Sequence, residues 1–117
     1  MEQKKENVIL DKSYSFAIEI IECYKTLTSE AKEFVLSKQL LRSGTSIGAN
    51  VEEANGGYTK KDFKYKMSIA YKEARETKYW LRLLMDTNYI EVGKAELLLE
   101  DCEQILKILW KIMESSG

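Results

Sequence analysis

Apolar residues recur at three- and four-residue spacing through most of this chain, the pattern of amphipathic helices rather than strands. Ser13, Phe16, Ala17, Ile20, Cys23, Tyr24 and Leu27 share one face and, with Asp11 as N-cap, predict a helix over about residues 11–27 that residues 7–10 could lengthen. Leu36, Leu40, Ser43, Ile47, Val51 and Ala54 predict a second helix over about residues 30–54, opened by Ser29 as N-cap and closed by Asn55, Gly56 and Gly57. A third, over about 60–86, starts at the capping-box-like pair Thr59 and Asp62 and turns Phe63, Met67, Ala70, Ala74, Thr77, Leu81 and Leu84 inward. A fourth, over about 94–114, sets Leu98, Cys102, Ile105, Leu109, Ile112 and Met113 against a face of Glu96, Glu100, Glu103, Lys107, Lys111 and Glu114. Four helices with short links predict an all-α, antiparallel up-down-up-down four-helix bundle, a single domain over residues 1–117.

Composition supports this picture and narrows the chemistry. The chain has no proline, the commonest helix breaker, and a formal net charge of -1, which gives no global electrostatic support for binding bulk nucleic acid. The segment "MEQKKENVIL" has no apolar signal core, and no apolar run approaches a membrane span, so the expected address is cytoplasmic with no membrane partner. Histidine is absent, which removes the usual general base and the commonest zinc ligand. Cys23 and Cys102 lie far apart within apolar patterns and read as reduced core residues. Glu52 and Glu53 are adjacent, so on a helix they diverge by about 100° and form no converging carboxylate pair. The expectation is a protein that is not an enzyme, with no catalytic, cofactor or metal site.

Several helices carry more apolar surface than one core seam uses. The excess comprises Tyr14, Ile18 and Ile21; Phe34 and Leu41; Tyr65, Ile69, Trp80 and Leu83; and Leu97, Ile108 and Trp110. Large exposed apolar patches mark partner surfaces, so a homo-oligomer is expected; the alternative is that broad faces wrap a wide core.

The stretch "RSGTSIGANVEEANGG" (42–57) is crowded with small residues. It lacks the GxxxxGK[ST] of a phosphate-binding loop and the strand and GxGxxG of a dinucleotide site. On a helix, Gly44 and Gly48 fall within about 40° of each other, with Ser37 preceding on the same side, and predict a close helix–helix contact within the bundle or between subunits. Gln39, Arg42, Ser46, Asn50 and Glu53 form a polar stripe about 80° wide. Arg42 and Glu53 are about 16 Å apart along the axis, so each needs a partner on another helix or subunit. Two readings stay open, a solvated face or a partly buried network that fixes helix register. Arg42, Ser43, Gly44, Ser46, Gly48, Asn50 and Glu53 are the candidate packing and network positions.

Charge is unevenly spread along the chain. Residues 59–90 hold eight Lys or Arg against four acids, and residues 91–117 hold three against six. Lys60, Lys61, Lys64, Lys72, Arg75, Lys78 and Arg82 fall within about 120° of helix three, with Tyr71 and Tyr79 in the same sector. The stripe fits RNA or DNA, with lysines along phosphates and tyrosines stacking on unpaired bases. It also fits the acidic face of helix four from a neighbouring subunit, or water, and a solvated or subunit-facing stripe is the commoner outcome for such a pattern.

The run "QLLRSGTSIGANVEEANGGYTKKDFKYKMSIAYKEARETKYWLRLL" resembles the bacterial four-helix-bundle family named for the 23S rRNA intervening sequence. That family's pattern reads here as Arg42-Ser43, Ser46-Ile47, Asn50, Glu53, Phe63, Ala70 and Glu76, with departures at Ala54 and Glu73. The resemblance implies a small cytosolic bundle that assembles as a homopentamer, in a family with no established catalytic activity. Some members are encoded within inserted segments of ribosomal RNA genes, and related bundles are nucleic-acid-binding accessory factors of diversity-generating retroelements.

Overall fold

The computed structural model describes residues 2–57 and 59–115; Met1, Tyr58, Ser116 and Gly117, which the expected 1–117 domain includes, lie outside the described residues. Four helices follow one another: α1 (Glu2–Ser29), α2 (Leu36–Asn55), α3 (Lys60–Asp86) and α4 (Val92–Ser115). There is no strand among the described residues. Each helix packs against its neighbours in the chain, α4 returns to α1, and the diagonal pairs stay apart. Contacts across each seam run in opposite senses: Gly48 lies beside Ser13 and Gly44 beside Ile20, Glu53 meets Lys66 and Arg42 meets Glu76, Tyr71 meets Trp110 and Lys78 meets Glu103, and Lys12 meets Gln104 and Glu19 meets Asp101. These are the pairings of an up-down-up-down bundle, here 44 × 21 × 18 Å.

The inward faces are those that helical spacing picks out. Phe16, Ile20 and Leu27 of α1, Leu40, Ile47 and Val51 of α2, Met67, Leu81 and Leu84 of α3, and Ile105 and Leu109 of α4 are all essentially removed from solvent. Each such side chain contributes roughly 1.5–3 kcal/mol on burial, which is why tertiary packing rather than intrinsic propensity holds these helices. The edges of the predicted faces are less deep: Ala17, Cys23, Tyr24, Leu36, Phe63 and Met113 are half-buried.

The start of α3 is as expected, with the Thr59 hydroxyl accepting from the Asp62 amide at 3.0 Å. The start of α2 is not. Ser29 is the last residue of α1, and its hydroxyl donates back to the Lys25 carbonyl at 2.7 Å instead of capping α2. Lys32 then takes a left-handed φ of 56°, and the Glu33 amide closes on the Leu27 carbonyl at 2.9 Å, so the chain turns before α2 begins at Leu36. The cap is the Glu33 carboxylate, which accepts from the amides of Val35 (3.2 Å), Leu36 (3.1 Å) and Ser37 (2.7 Å). Acidic residues near the start of a helical pattern read as a first turn; here one of them serves from outside the helix. Phe34 consequently sits in the link rather than on α2. α1 is longer than expected, reaching back to Glu2, and α4 starts slightly earlier, at Val92.

Candidate functional site

The small-residue side of α2 faces α1. A Cβ on Gly44 would lie 2.8 Å from Ile20 Cγ2 and 2.9 Å from Cγ1, so this position accepts only glycine unless a helix moves. A Cβ on Gly48 would meet Ser13 O and Oγ at 3.4 Å, at the edge of ordinary contact. Both glycines therefore pack within one chain. Ser43, on the α3 side, is fully buried, and its hydroxyl lies 2.9 Å from that of buried Thr77; Thr77 also reaches the Glu73 carbonyl at 2.8 Å.

The polar stripe of α2 divides. Ser46 and Asn50 bond to their own helix, Ser46 Oγ donating to the Arg42 carbonyl at 2.6 Å and Asn50 Nδ2 to the Ser46 carbonyl at 2.8 Å. Arg42 and Glu53 cross to α3. One guanidinium nitrogen of Arg42 donates to both Glu73 oxygens at 3.2 and 3.3 Å, and the other to Glu76. The indole of Trp80 donates to the same Glu76 oxygen at 3.0 Å. Glu53 accepts from Lys66 at 2.6 Å. The Trp80 hydrogen bond, with Arg42 beside it, outweighs burial and holds the Glu76 carboxyl below its usual range; the bond to Glu76 raises Arg42 in turn. With half-exposed groups this is a surface clamp on helix register rather than a buried charge network. Glu73, Glu76, Trp80 and Lys66 went unassigned in the sequence as partners. The signal was there: in an antiparallel pair, Arg42 and Glu53 on one helix match Glu76 and Lys66 on the next in reversed order.

The basic stripe of α3 also divides. Lys78 pairs with Glu103 of α4 in the same chain at 2.6 Å, a contact that holds Glu103 below its usual carboxylate range. Tyr71 is half-buried and tilts against Trp110, ring centroids 5.8 Å apart, so it is already engaged. Tyr79 is exposed beside Trp80 at 5.2 Å. Lys60, Lys61, Lys64, Lys72, Arg75 and Arg82 are exposed and make no ion pair among the described residues.

Burial pushes the Cys23 thiol up to about 11 and the Cys102 thiol up to about 12, and the Cys102 Sγ is engaged with the Ala74 carbonyl at 3.2 Å. Among the described residues no group of three or more His, Cys, Asp or Glu could hold a metal ion, and no helix is long and apolar enough to cross a membrane.

No curated protein matches this chain. A crystal structure does: a protein of unknown function from the S23 ribosomal protein family of Bacteroides thetaiotaomicron is 51% identical and superposes with a TM-score of 0.93, over 94% of this chain and 98% of that one. The pattern of the family described as 23S rRNA-intervening sequence protein matches residues 5–111, taking in all but the ends of the bundle. With sequence and fold in agreement over nearly its whole length, the chain belongs to the 23S rRNA-intervening sequence protein family.

Proposed function

We propose that this protein is a non-enzymatic, cytoplasmic homo-oligomeric bundle that serves as an assembly or adaptor element, with a role linked to RNA. The observation that carries the reading is apolar surface left outside a complete core: Tyr14 is 68% exposed, Leu97 65%, Tyr65 63% and Trp110 51%. Single exposed apolar residues are ordinary, but side chains of this size on three of four helices favour a partner surface. The family resemblance makes a pentamer the expected assembly, and the family's name supplies the link to ribosomal RNA. Mass in solution by light scattering tests the reading: a multiple of 13.6 kDa supports it, and a clean monomer at micromolar concentration overturns it.

A second reading is a direct nucleic-acid-binding factor that uses α3. Lys60, Lys61, Lys64, Lys72, Arg75 and Arg82, exposed and without an ion pair among the described residues, favour it, while the packing of Tyr71 on Trp110 takes away one of its two stacking residues. Salt-titrated binding to single-stranded RNA, structured RNA and duplex DNA decides. Micromolar binding that weakens steeply with salt and is lost on Lys64→Glu with Arg75→Glu supports this reading; no binding at low salt eliminates it.

A further inference from the structure

The seam between α1 and α4 is open. A groove of about 410 Å³ runs along it, with Leu27, Ile90 and Leu98 among its lining and the carboxylates of Glu19, Glu22 and Glu91 beside them. Lys94 is the one cation among the lining residues. A second hollow of about 250 Å³ on the same seam adds Asp11 and Asp101, against Lys12. Ile18 of α1 and Leu97 of α4 give the groove an exposed apolar border. Within the seam, Glu19 faces Asp101, and burial together with this second carboxylate raises its pKa. Glu19 and Asp101 are like charges set against each other, and Lys12, the one cation among the residues lining that hollow, donates to Gln104 at 2.7 Å.

The α3 stripe has the opposite character. Its exposed cations repel at i+3 and i+4 spacing and close no ion pair among the described residues, Arg75 lying only within electrostatic reach of Glu103, and exposed Tyr65 and Tyr79 stand among them. One surface is acidic and apolar, the other basic and aromatic, and a chain of net charge -1 carries both.

We propose that the α1/α4 groove of one copy receives the α3 basic stripe of the next copy, in a head-to-tail contact between two different faces of the same chain. This rests on the homo-oligomeric reading and adds which surfaces meet. Opposite potentials set the register of such a contact and speed its formation, while the apolar groove supplies area that charge alone does not. Because the two faces differ, each copy keeps one face free for a further copy, so the contact propagates and closes as a ring when the rotation allows. A nucleic-acid backbone would satisfy the stripe but would leave the groove bare and be repelled by its rim.

The test reverses charge on each face of the full chain: Glu19→Lys with Glu22→Lys, Lys64→Glu with Arg75→Glu, and all four together. All four residues are exposed, and far-UV circular dichroism checks that each variant folds. Light scattering and sedimentation across a dilution series should show each pair raising the concentration for half-assembly about tenfold or more. The fourfold variant, with both signs exchanged, should recover the wild-type mass. An assembling wild type whose mass is unchanged by either pair overturns this contact while leaving the homo-oligomer standing. So does a fourfold variant that stays dissociated, or a Lys64/Arg75 pair that abolishes RNA binding without changing mass. A monomeric wild type overturns both readings.

Discussion

Gly44 of α2 and Ile20 of α1 meet so closely that a methyl group on the glycine would sit 2.8 Å from Ile20 Cγ2 and 3.2 Å from its Cβ. Ile20 is branched at Cβ, fully buried and stiff at χ1, so it cannot swing aside. Gly44→Ala should therefore destabilise the bundle by about 1–3 kcal/mol from overpacking, less the ~1 kcal/mol by which alanine favours the helix. Gly48→Ala meets Ser13 only at 3.4 Å and should be neutral or slightly stabilising. Urea unfolding of the two variants checks this; equal effects at both positions would show that Gly44 is not the tight point. A double-mutant cycle with Ile20→Ala should show coupling for Gly44 and none for Gly48.

Glu33 should be the residue that starts α2. Glu33→Ala removes the acceptor of three backbone amides and should cost about 1 kcal/mol, whereas Ser29→Ala should cost little. Burial works to raise the Glu33 carboxyl, but hydrogen bonds from Ser37, Leu36 and Val35 together bring it below its ordinary 4.5. A lowered folded-state value means the contribution is complete above 4.5 and is lost as pH falls through the folded value. The stability curve of Glu33→Ala should consequently converge on that of wild type in acid. Thermal melts at a series of pH values measure it, and a gap that persists in acid would refute the assignment.

Arg42 spans two carboxylates of α3, and a lysine cannot reach both with one ammonium. Arg42→Lys should lose most of what Arg42→Ala loses, about 0.5–1 kcal/mol for half-exposed pairs. Both changes should alter Trp80 fluorescence, because its indole shares the Glu76 oxygen with Arg42. Full stability and an unchanged spectrum in Arg42→Lys would mean that the fork geometry contributes nothing.

The two thiols should differ in reactivity. Cys23 is half-buried at the α1/α4 groove with its thiol raised from an ordinary 9.0 to about 11, which lowers its thiolate fraction about a hundredfold near neutral pH. It should react slowly with a thiol reagent and faster as pH rises toward 11. Cys102, fully buried and raised to about 12, should react only as the bundle unfolds. Rapid modification of Cys102 in the native protein would contradict this packing.

Much of this architecture was legible because it is local. Helical spacing alone selects Leu40, Ile47, Val51, Met67, Leu81, Cys102 and Leu109 as interior, since burial follows the period of the helix whatever it packs against. Thr59 opens α3 by a hydrogen bond spanning three residues, and such a bond is visible in sequence. The small-residue side of α2 was readable for the same reason, although Gly44 and Gly48 looked equivalent and only the position of Ile20 separates them.

What depended on distant residues was not legible. Ser29 and Glu33 are both plausible caps in sequence; the choice falls to Glu33 because Lys32 turns back and the Glu33 amide closes on Leu27, which places its carboxylate over the first amides of α2. The α3 stripe reads as one band on a wheel, yet the nearness of α4 gives Lys78 to Glu103 and Tyr71 to Trp110, leaving the other cations exposed. The open α1/α4 seam has no counterpart in any single helix. The sequence by itself determined four amphipathic helices and their inward faces, because periodicity within a helix dictates burial. Only the tertiary structure decided which polar groups meet and which surfaces stay uncovered, because those depend on the distance between helices that the chain brings together from far apart.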